Sequence, residues 1–217
     1  MRCNRCCEQC VKKGFQKNGT QKFYCKKCGK WQQGSYLNEA WNRSTNSKII
    51  TLLKEGCGTR GISRILGISP TTITKRILKI SGCLSRPQIE LGRSYEMDEL
   101  YTYVGSKANM ICVAYAIDRT TRNIVDFKVG KRNKETLKPV VESLLLVNAQ
   151  EIRTDKLSLY LNLIPKELHH VKRRGINYIE RKNLTLRTHI KRLNRKTIAY
   201  SKSLLVLSAI LRIYFFS

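Results

Sequence analysis

Three carboxylates in the C-terminal half of the chain, Asp98, Asp155 and Glu180, stand where the edges of predicted strands and a predicted helix could bring them together. The chain around them is strongly basic, with 42 Lys and Arg against 15 Asp and Glu and a formal net charge of +27. Such an excess selects a polyanion as partner and gives salt-sensitive affinity for nucleic acid. Converging carboxylates can hold Mg²⁺ or Mn²⁺, which prefer hard oxygen ligands. The pattern favours an enzyme that processes DNA.

Neither secretion nor membrane insertion is indicated by the apolar segments. The N-terminus, Met1-Arg2-Cys3, lacks the apolar run of a secretory signal. Residues 204–216 are apolar but are interrupted by Arg212, and they fall short of the roughly 20 residues that a spanning helix needs. We expect a buried helix there, no membrane partner, and a cytoplasmic, nucleoid-associated protein.

Most of the nine cysteines lie within residues 1–28, in CxxC pairs. In a reducing compartment this spacing favours metal binding over disulfides. The sequence predicts a structural, tetrahedral Zn²⁺ site with four sulfur ligands, namely Cys3, Cys6, Cys25 and Cys28. Cys7 and Cys10 form an alternative first pair, which is less favoured because Cys10 runs directly into a predicted strand that starts at Val11.

Two glycines support a small zinc-binding fold over residues 1–40. Gly29 follows the second CxxC pair, where the backbone must turn tightly to aim amides at the sulfurs. Asn18-Gly19 is a two-residue hairpin signal between strand-like residues 11–14 and 21–24. We therefore predict a zinc-ribbon finger.

Residues 41–82 have the pattern of three short helices. Asn46 or Ser47 can cap the first, which runs to about Lys54, and Thr59 can cap the second. The turn that follows has Gly67 at the C-terminal capping position, then Ser69 as N-cap and Pro70 as the first residue of the third helix. This order predicts a helix-turn-helix DNA-binding domain.

The third predicted helix has one apolar and one polar face. Ile73, Ile77 and Ile80 recur at helical spacing and should be buried. The solvent face carries the hydroxyls and cations that suit phosphate and base-edge contacts, namely Thr71, Thr72, Thr74, Lys75 and Arg76. A plain three-helix packing unit without DNA contacts is the alternative interpretation.

After a polar linker at residues 83–95, residues 96–217 have the pattern of an α/β domain. Strands are predicted at 96–104, 110–117 and 123–129, a helix containing Pro139 follows, then strands at 151–155 and 169–171 and a long helix at 178–193. This order is that of a ribonuclease-H-like domain, in which the first and fourth strands are neighbours. The carboxylates of Asp98 and Asp155 could then meet. Glu99, next to Asp98, alternates to the opposite face and is expected to be structural.

The predicted helix at 178–193 carries the third carboxylate, Glu180, on a polar basic flank. At 100° per residue, Glu180, Arg187 and Lys191 fall on one polar flank. Arg187, Lys191 and Lys202 are candidates for holding the scissile phosphate or the adjacent DNA backbone, with a merely solvated surface as the alternative.

Five short segments, together with the predicted helix-turn-helix, form a set of motifs that is specific enough to compare with known families. They are Tyr24-Cys25-x-x-Cys28-x-x-Trp31-Gln32, Met97-Asp98-Glu99-x-x-x-Tyr103-Val104-Gly105, Thr154-Asp155, Ile179-Glu180-Arg181-x-Asn183-Leu184-x-Leu186-Arg187 and Tyr200-Ser201-Lys202-Ser203. Through them the chain resembles the transposases of insertion sequence one, the InsAB type, within the larger DDE superfamily. The resemblance implies a multidomain protein that ends in a DDE integrase/transposase domain of the ribonuclease-H-like type. It further implies that Asp98, Asp155 and Glu180 are the catalytic triad.

The expected activity is metal-dependent cleavage of double-stranded DNA at the element's ends, followed by transfer of the freed 3′-hydroxyl into target DNA. The finger and the helix-turn-helix would bind the terminal inverted repeats, and pairing two ends implies a homo-oligomer on DNA. Two alternatives are a DNA-binding regulator without nuclease activity, and a ribonuclease or resolvase on the same fold. A third is an inactive transposase copy, since Lys156, Lys182 and Leu207 differ from the residues that are usual in the family.

Overall fold

The structure is a computed structural model that describes residues 1–34, 42, 44–171, 177–194 and 196–217. The predicted boundary between finger and helices, at residues 40 and 41, lies outside these ranges. The N-terminal strands β1 (Val11–Phe15), β2 (Gln21–Tyr24) and β3 (Trp31–Gln33) form an antiparallel sheet in that order. The β1–β2 loop is longer than the predicted two-residue turn. A two-residue type I′ turn needs a positive φ at both central residues, and Gly19 has one (φ +78°) but Asn18 does not.

Three helices follow, α1 (Thr45–Lys54), α2 (Thr59–Leu66) and α3 (Pro70–Cys83). The predicted caps of the first two are wrong. Ser44, whose amide donates to Asn42 Oδ1, precedes α1, and extended Gly58 precedes α2. The turn into α3 agrees with the prediction. Gly67 is left-handed (φ +63°), and the Ser69 hydroxyl accepts the Thr72 amide at 3.2 Å just before Pro70.

The last helix, α7 (Leu204–Phe216), completes the core of these three helices. As predicted, Ile73, Ile77 and Ile80 of α3 are buried, and they share a cluster with Ala209, Ile210 and Ile213 of α7. The opposite side of α7 packs on the α/β sheet through Leu207 and Leu211. One helix therefore joins the two predicted domains. No helix within the described ranges combines the length and hydropathy that a membrane span requires.

The larger sheet has five strands in the order β6-β5-β4-β7-β8. These are β4 (Ser94–Val104), β5 (Ser106–Asp118), β6 (Ile124–Gly130), β7 (Glu151–Thr154) and β8 (His169–Val171). Strands β4–β5 and β5–β6 pair antiparallel, whereas β4–β7 and β7–β8 pair parallel. This order and these directions agree with the ribonuclease-H-like arrangement expected from the sequence.

Helices cover both faces of the sheet. On one face α4 (Lys134–Leu146) and α5 (Ser158–Leu161) bury Tyr95 and Met97 of β4, and on the other α6 (Asn177–His189) and α7 bury Leu100. This division follows from the alternation of side chains along β4. The Asn133 side chain caps α4 by accepting the Thr136 amide at 3.1 Å.

The long helix predicted at residues 178–193 is interrupted. α6 ends at His189, and Lys191–Leu193 form a separate 3₁₀ turn. Tertiary contacts hold this turn away from the helical path: the Thr102 hydroxyl donates to the Arg192 carbonyl at 2.7 Å, and Arg187 Nη1 to the Leu193 carbonyl at 3.1 Å. The prediction that Lys191 shares a helical flank with Glu180 is therefore wrong.

Candidate functional site

Four cysteines from the two CxxC pairs come together at the end of the N-terminal sheet. The sulfurs of Cys3, Cys6, Cys25 and Cys28 all lie within 4.8 Å of one another. Cys3 and Cys28 are 3.5 Å apart, and Cys6 and Cys25 are 3.4 Å apart. A tetrahedral zinc with Zn–S bonds of about 2.3 Å needs sulfurs about 3.8 Å apart, so the four residues fit Zn²⁺.

The surroundings of these sulfurs favour the Cys3/Cys6 register over Cys7/Cys10. Cys7 is exposed, while the Cys10 sulfur is buried and accepts from Gln32 Nε2 at 3.2 Å. The Arg5 amide donates to the Cys3 sulfur at 3.4 Å, and such backbone contacts lower the pKa of Cys3 to about 6. Burial and the neighbouring sulfurs raise the pKa of Cys6 to about 12, so the geometry and not the pKa values distinguishes the two registers. Gly29 closes the second knuckle with φ +67°, as its position in the sequence predicts.

Two of the predicted catalytic carboxylates lie side by side in the sheet. Asp98 is in the middle of β4, and Asp155 directly follows β7. Glu96 pairs with Arg153 in the parallel β4–β7 register, so Asp155 lies level with Asp98 two residues further along both strands. Oxygens of Asp98, Glu99 and Asp155 all lie within 4.8 Å of one another. These three residues could hold a divalent cation.

Asp98 is half-buried and held by two hydrogen bonds. Its Oδ1 accepts the Glu99 amide at 2.8 Å, and its Oδ2 accepts Asn183 Nδ2 of α6 at 2.7 Å. Tyr115 in turn donates its hydroxyl to Asn183 Oδ1 at 2.8 Å. Burial raises the pKa of Asp98 to about 6, and the negative charges of Asp155 and Glu180 act in the same direction. A bound cation would reverse this shift.

Glu99 is the residue that the sequence analysis did not place at the site. It does lie on the opposite face of β4, where the Tyr160 hydroxyl donates to its Oε1 and Arg132 Nη2 lies 3.7 Å from its Oε2. Burial raises the pKa of Glu99 to about 7. Glu99 still reaches the group of carboxylates because Asp155 directly follows the end of β7. Beyond that end, β7 no longer separates the two faces of the sheet beside β4.

Glu180 stands apart from this carboxylate group. It lies in the first turn of α6, is exposed, and is not among the three residues whose oxygens lie within 4.8 Å of one another. Its charge nevertheless acts on Asp98, which places it in the electrostatic surroundings of the pair.

The predicted DNA-contacting residues lie at two places. On α3, Thr71 and Lys75 are exposed, and Thr72, Thr74 and Arg76 are partly exposed. Arg76 Nη1 lies 2.5 Å from Asn46 Oδ1 of α1, so it also joins two helices. In the α/β part, Arg187 is partly buried on α6, whereas Lys191 of the 3₁₀ turn and Lys202, just before α7, are exposed.

Comparison with known proteins gives a family and several relatives. A family model described as IS1 transposase matches residues 93–216, a range that contains Asp98, Asp155 and Glu180. The insertion element iso-IS1n protein InsB of Shigella dysenteriae is 38% identical over 108 residues, covering 50% of this chain and 82% of that protein. The insertion element IS1 2 protein InsB of Escherichia coli (strain K12) is 33% identical over 136 residues, covering 63% and 77%.

Solved structures with a detectable likeness include two from retroviruses. The HTLV-2 integrase catalytic core domain in complex with magnesium gives a TM-score of 0.36 at 14% identity, covering 59% of this chain and 86% of that one. A chain of the simian T-cell lymphotropic virus intasome gives a TM-score of 0.37 at 13% identity, covering 77% and 65%.

Proposed function

The chain belongs to the IS1 transposase family, and on that premise we propose that it cuts and joins DNA at the ends of an insertion element, using divalent cations. The observation that carries the proposal is the approach of the Asp98 and Asp155 carboxylates on neighbouring parallel strands. The carboxylates converge there although the chain as a whole has a net charge of +27. Such a positive charge would attract a polyanionic substrate.

Asp98 and Asp155 would hold the cation, with Glu180 of α6 as the third catalytic carboxylate. Bound there, Mg²⁺ or Mn²⁺ supplies Lewis-acid stabilisation of the phosphate and lowers the pKa of the attacking water or 3′-hydroxyl. Asn183 and the Glu99 amide fix the orientation of the Asp98 carboxylate. Glu99 has one oxygen bound by Tyr160, so it can offer only part of its carboxylate.

Recognition of the terminal inverted repeats is assigned to the N-terminal part. The exposed face of α3 would enter the major groove, as the second helix of a helix-turn-helix does. Arg187, Lys191 and Lys202 would contact the DNA backbone beside the carboxylates. Zinc at the four cysteines would be structural, since four sulfur ligands leave no open position, and it would supply folding free energy to the ribbon. Because two ends must be paired, the protein would act as a homo-oligomer on DNA.

The test is a cleavage and strand-transfer assay with DNA that carries the cognate inverted ends. Wild-type protein should cut and join in Mg²⁺ or Mn²⁺ and stop in chelator. Asp98→Asn, Asp155→Asn and Glu180→Gln should bind the same DNA and leave it uncut. Glu142→Gln is the matched control, because Glu142 is an exposed acid on α4 that pairs with Lys138 at 3.5 Å.

Two results would contradict the proposal. If any of the three variants transferred strands at the wild-type rate, the substituted residue would not be a catalytic residue. Specific binding by wild-type protein without metal-dependent nicking would instead support a DNA-binding regulator or an inactive copy.

A further inference from the structure

A fully buried carboxylate, Glu96, lies on the same face of β4 as Asp98 and two residues before it. Its Oε1 accepts Arg119 Nε at 3.0 Å, and its Oε2 accepts the backbone amide of Ile179 at 3.0 Å. Burying a carboxylate is costly unless its oxygens are bound in this way. Glu96 therefore joins the central strand to the first turn of α6.

The first turn of a helix is where an anion has the largest effect. Its amides have no partner within the helix, and the helix dipole favours negative charge there. Glu96 satisfies one of these amides from the sheet, at the residue directly before Glu180. The position of Glu180 is thus tied to a side chain two residues from Asp98.

Further contacts hold the same turn of α6. The ring of Tyr178 lies under the guanidinium of Arg122, 4.6 Å from its carbon to the ring centroid, and under that of Arg119 at 5.6 Å. One turn further along, Asn183 binds Asp98 and Tyr115. Arg119 therefore makes two contacts that hold this turn of α6: it donates to Glu96, and its guanidinium stacks on the ring of Tyr178.

We propose that Glu96 is a positioning residue that sets where Glu180 stands relative to Asp98 and Asp155, and through Glu180 sets the affinity of the site for divalent cations. The inference rests on the proposed role of Glu180 as a ligand. Glu96 itself contacts neither cation nor DNA, because both of its oxygens are bound within the protein and the residue is 0% exposed.

A double-mutant cycle on metal affinity tests this inference. Mn²⁺ binding to the zinc-loaded, DNA-free full chain is measured from the electron paramagnetic resonance signal of free Mn²⁺. Glu96→Gln keeps the shape but can satisfy only one of its two donors, so we expect affinity to fall about 10-fold, as for other groups that orient ligands. Glu180→Gln should weaken binding at least as much. The double variant should bind like Glu180→Gln alone, because Glu96 acts through that residue.

A second readout and two further variants separate positioning from general destabilisation. Hydrogen exchange at the amides of residues 179–183 should be faster in Glu96→Gln, with metal absent. Asp126→Asn is the control, since Asp126 is a buried carboxylate that pairs with Arg86 at 3.7 Å and lies on the edge strand β6, which β5 separates from β4. It should leave Mn²⁺ affinity and this exchange unchanged. If Glu96→Gln does not fold, Arg119→Lys removes the donor that Glu96 needs and should weaken Mn²⁺ binding in the same direction.

The outcomes separate this inference from the proposed function. If Glu180→Gln leaves Mn²⁺ affinity unchanged, Glu180 is not a ligand, and both the assignment and the inference fall. If Glu180→Gln weakens binding but Glu96→Gln does not, the inference alone is overturned. Equal, additive losses from Glu96→Gln in the wild-type and Glu180→Gln backgrounds would also overturn it, since Glu96 would then act independently.

Discussion

Asn183 donates its side-chain amide to the Asp98 carboxylate across 2.7 Å, and so joins helix α6 to the central strand at the site itself. Together with the Glu99 amide, which donates to the other oxygen, it fixes the orientation of the Asp98 carboxylate. Each oxygen keeps a second lone pair that a cation can use. The hydrogen bond from Asn183 also opposes the effect of burial, since a donor to a carboxylate stabilises the ionised form.

Removing this donor should shift the pH dependence of cleavage. In Asn183→Ala the pKa of Asp98 should rise further above about 6, so the acid limb of the pH–rate profile should move to higher pH. We expect the maximal rate to fall about 10- to 100-fold, as when other groups that orient metal ligands are lost. The profile is measured at fixed Mg²⁺. Asn123→Ala, which changes an exposed amide after β5, is the control, and an unshifted limb in Asn183→Ala would contradict the account.

In zinc-loaded protein without Mg²⁺ or Mn²⁺, the free energy of unfolding should decrease as the carboxylic acids of the site ionise. Burial holds the pKa of Asp98 at about 6 and that of Glu99 at about 7, above the value of about 4 for free carboxyls. The folded state therefore binds more protons than the unfolded state between about pH 4 and 7, so the free energy of unfolding should fall as pH rises through that range and level off above it. Thermal unfolding from about pH 4 to about 8 measures it.

Glu99→Gln should reduce this slope, because it removes one of the two titrating groups while keeping an acceptor for Tyr160. Glu142→Gln, an exposed acid, should keep the wild-type slope. Equal slopes for Glu99→Gln and wild-type protein would show that Glu99 does not titrate in this range.

Zinc content should distinguish the two possible cysteine registers. Cys25→Ser and Cys3→Ser should each lose the bound zinc, because each removes one of the four converging sulfurs. Cys7→Ser should keep one zinc per chain, since Cys7 is exposed and outside the group. Metal analysis by mass spectrometry measures this, and zinc loss in Cys7→Ser with retention in Cys3→Ser would favour the Cys7/Cys10 register.

Cations on α3 should contribute to DNA affinity without regard to sequence. Lys75→Ala should weaken binding to cognate and random duplexes about equally and lower the salt slope of log K by about 1, the value for one phosphate contact. Fluorescence anisotropy over a salt series measures the slope. Lys138→Ala on the outer side of α4 is the control, and an identical slope for Lys75→Ala and wild-type protein would remove α3 from the DNA interface.

The sequence predicted the sheet order and the approach of Asp98 to Asp155, because its order of strands and helices matches a ribonuclease-H-like domain, in which the first and fourth strands are neighbours. The sequence could not predict the contacts of Asp98 and Glu96 with α6, which join residues 85 and 83 positions apart. Glu99 was assigned to the correct face, but alternation does not report that Asp155 lies at a strand end open to both faces. The apolar pattern of 204–216 predicted burial of α7, whereas its partners on two sides depend on tertiary packing.

The break in the helix after His189 also depends on contacts that the local sequence does not encode. Helical periodicity continues through Leu193, so the sequence favoured one helix. Contacts of Thr102 and Arg187 with the carbonyls of Arg192 and Leu193 outweigh that local preference. Local patterns therefore predicted the elements, and side-chain contacts between elements set the details of the site.

The most direct test of the account is the position of a bound metal. Anomalous diffraction from crystals of the zinc-loaded protein with Mn²⁺ should give a peak about 2 to 2.3 Å from oxygens of both Asp98 and Asp155. That peak should be absent in Asp155→Asn. Mn²⁺ bound only elsewhere, with these two carboxylates free of metal in the wild-type crystals, would contradict the central claim.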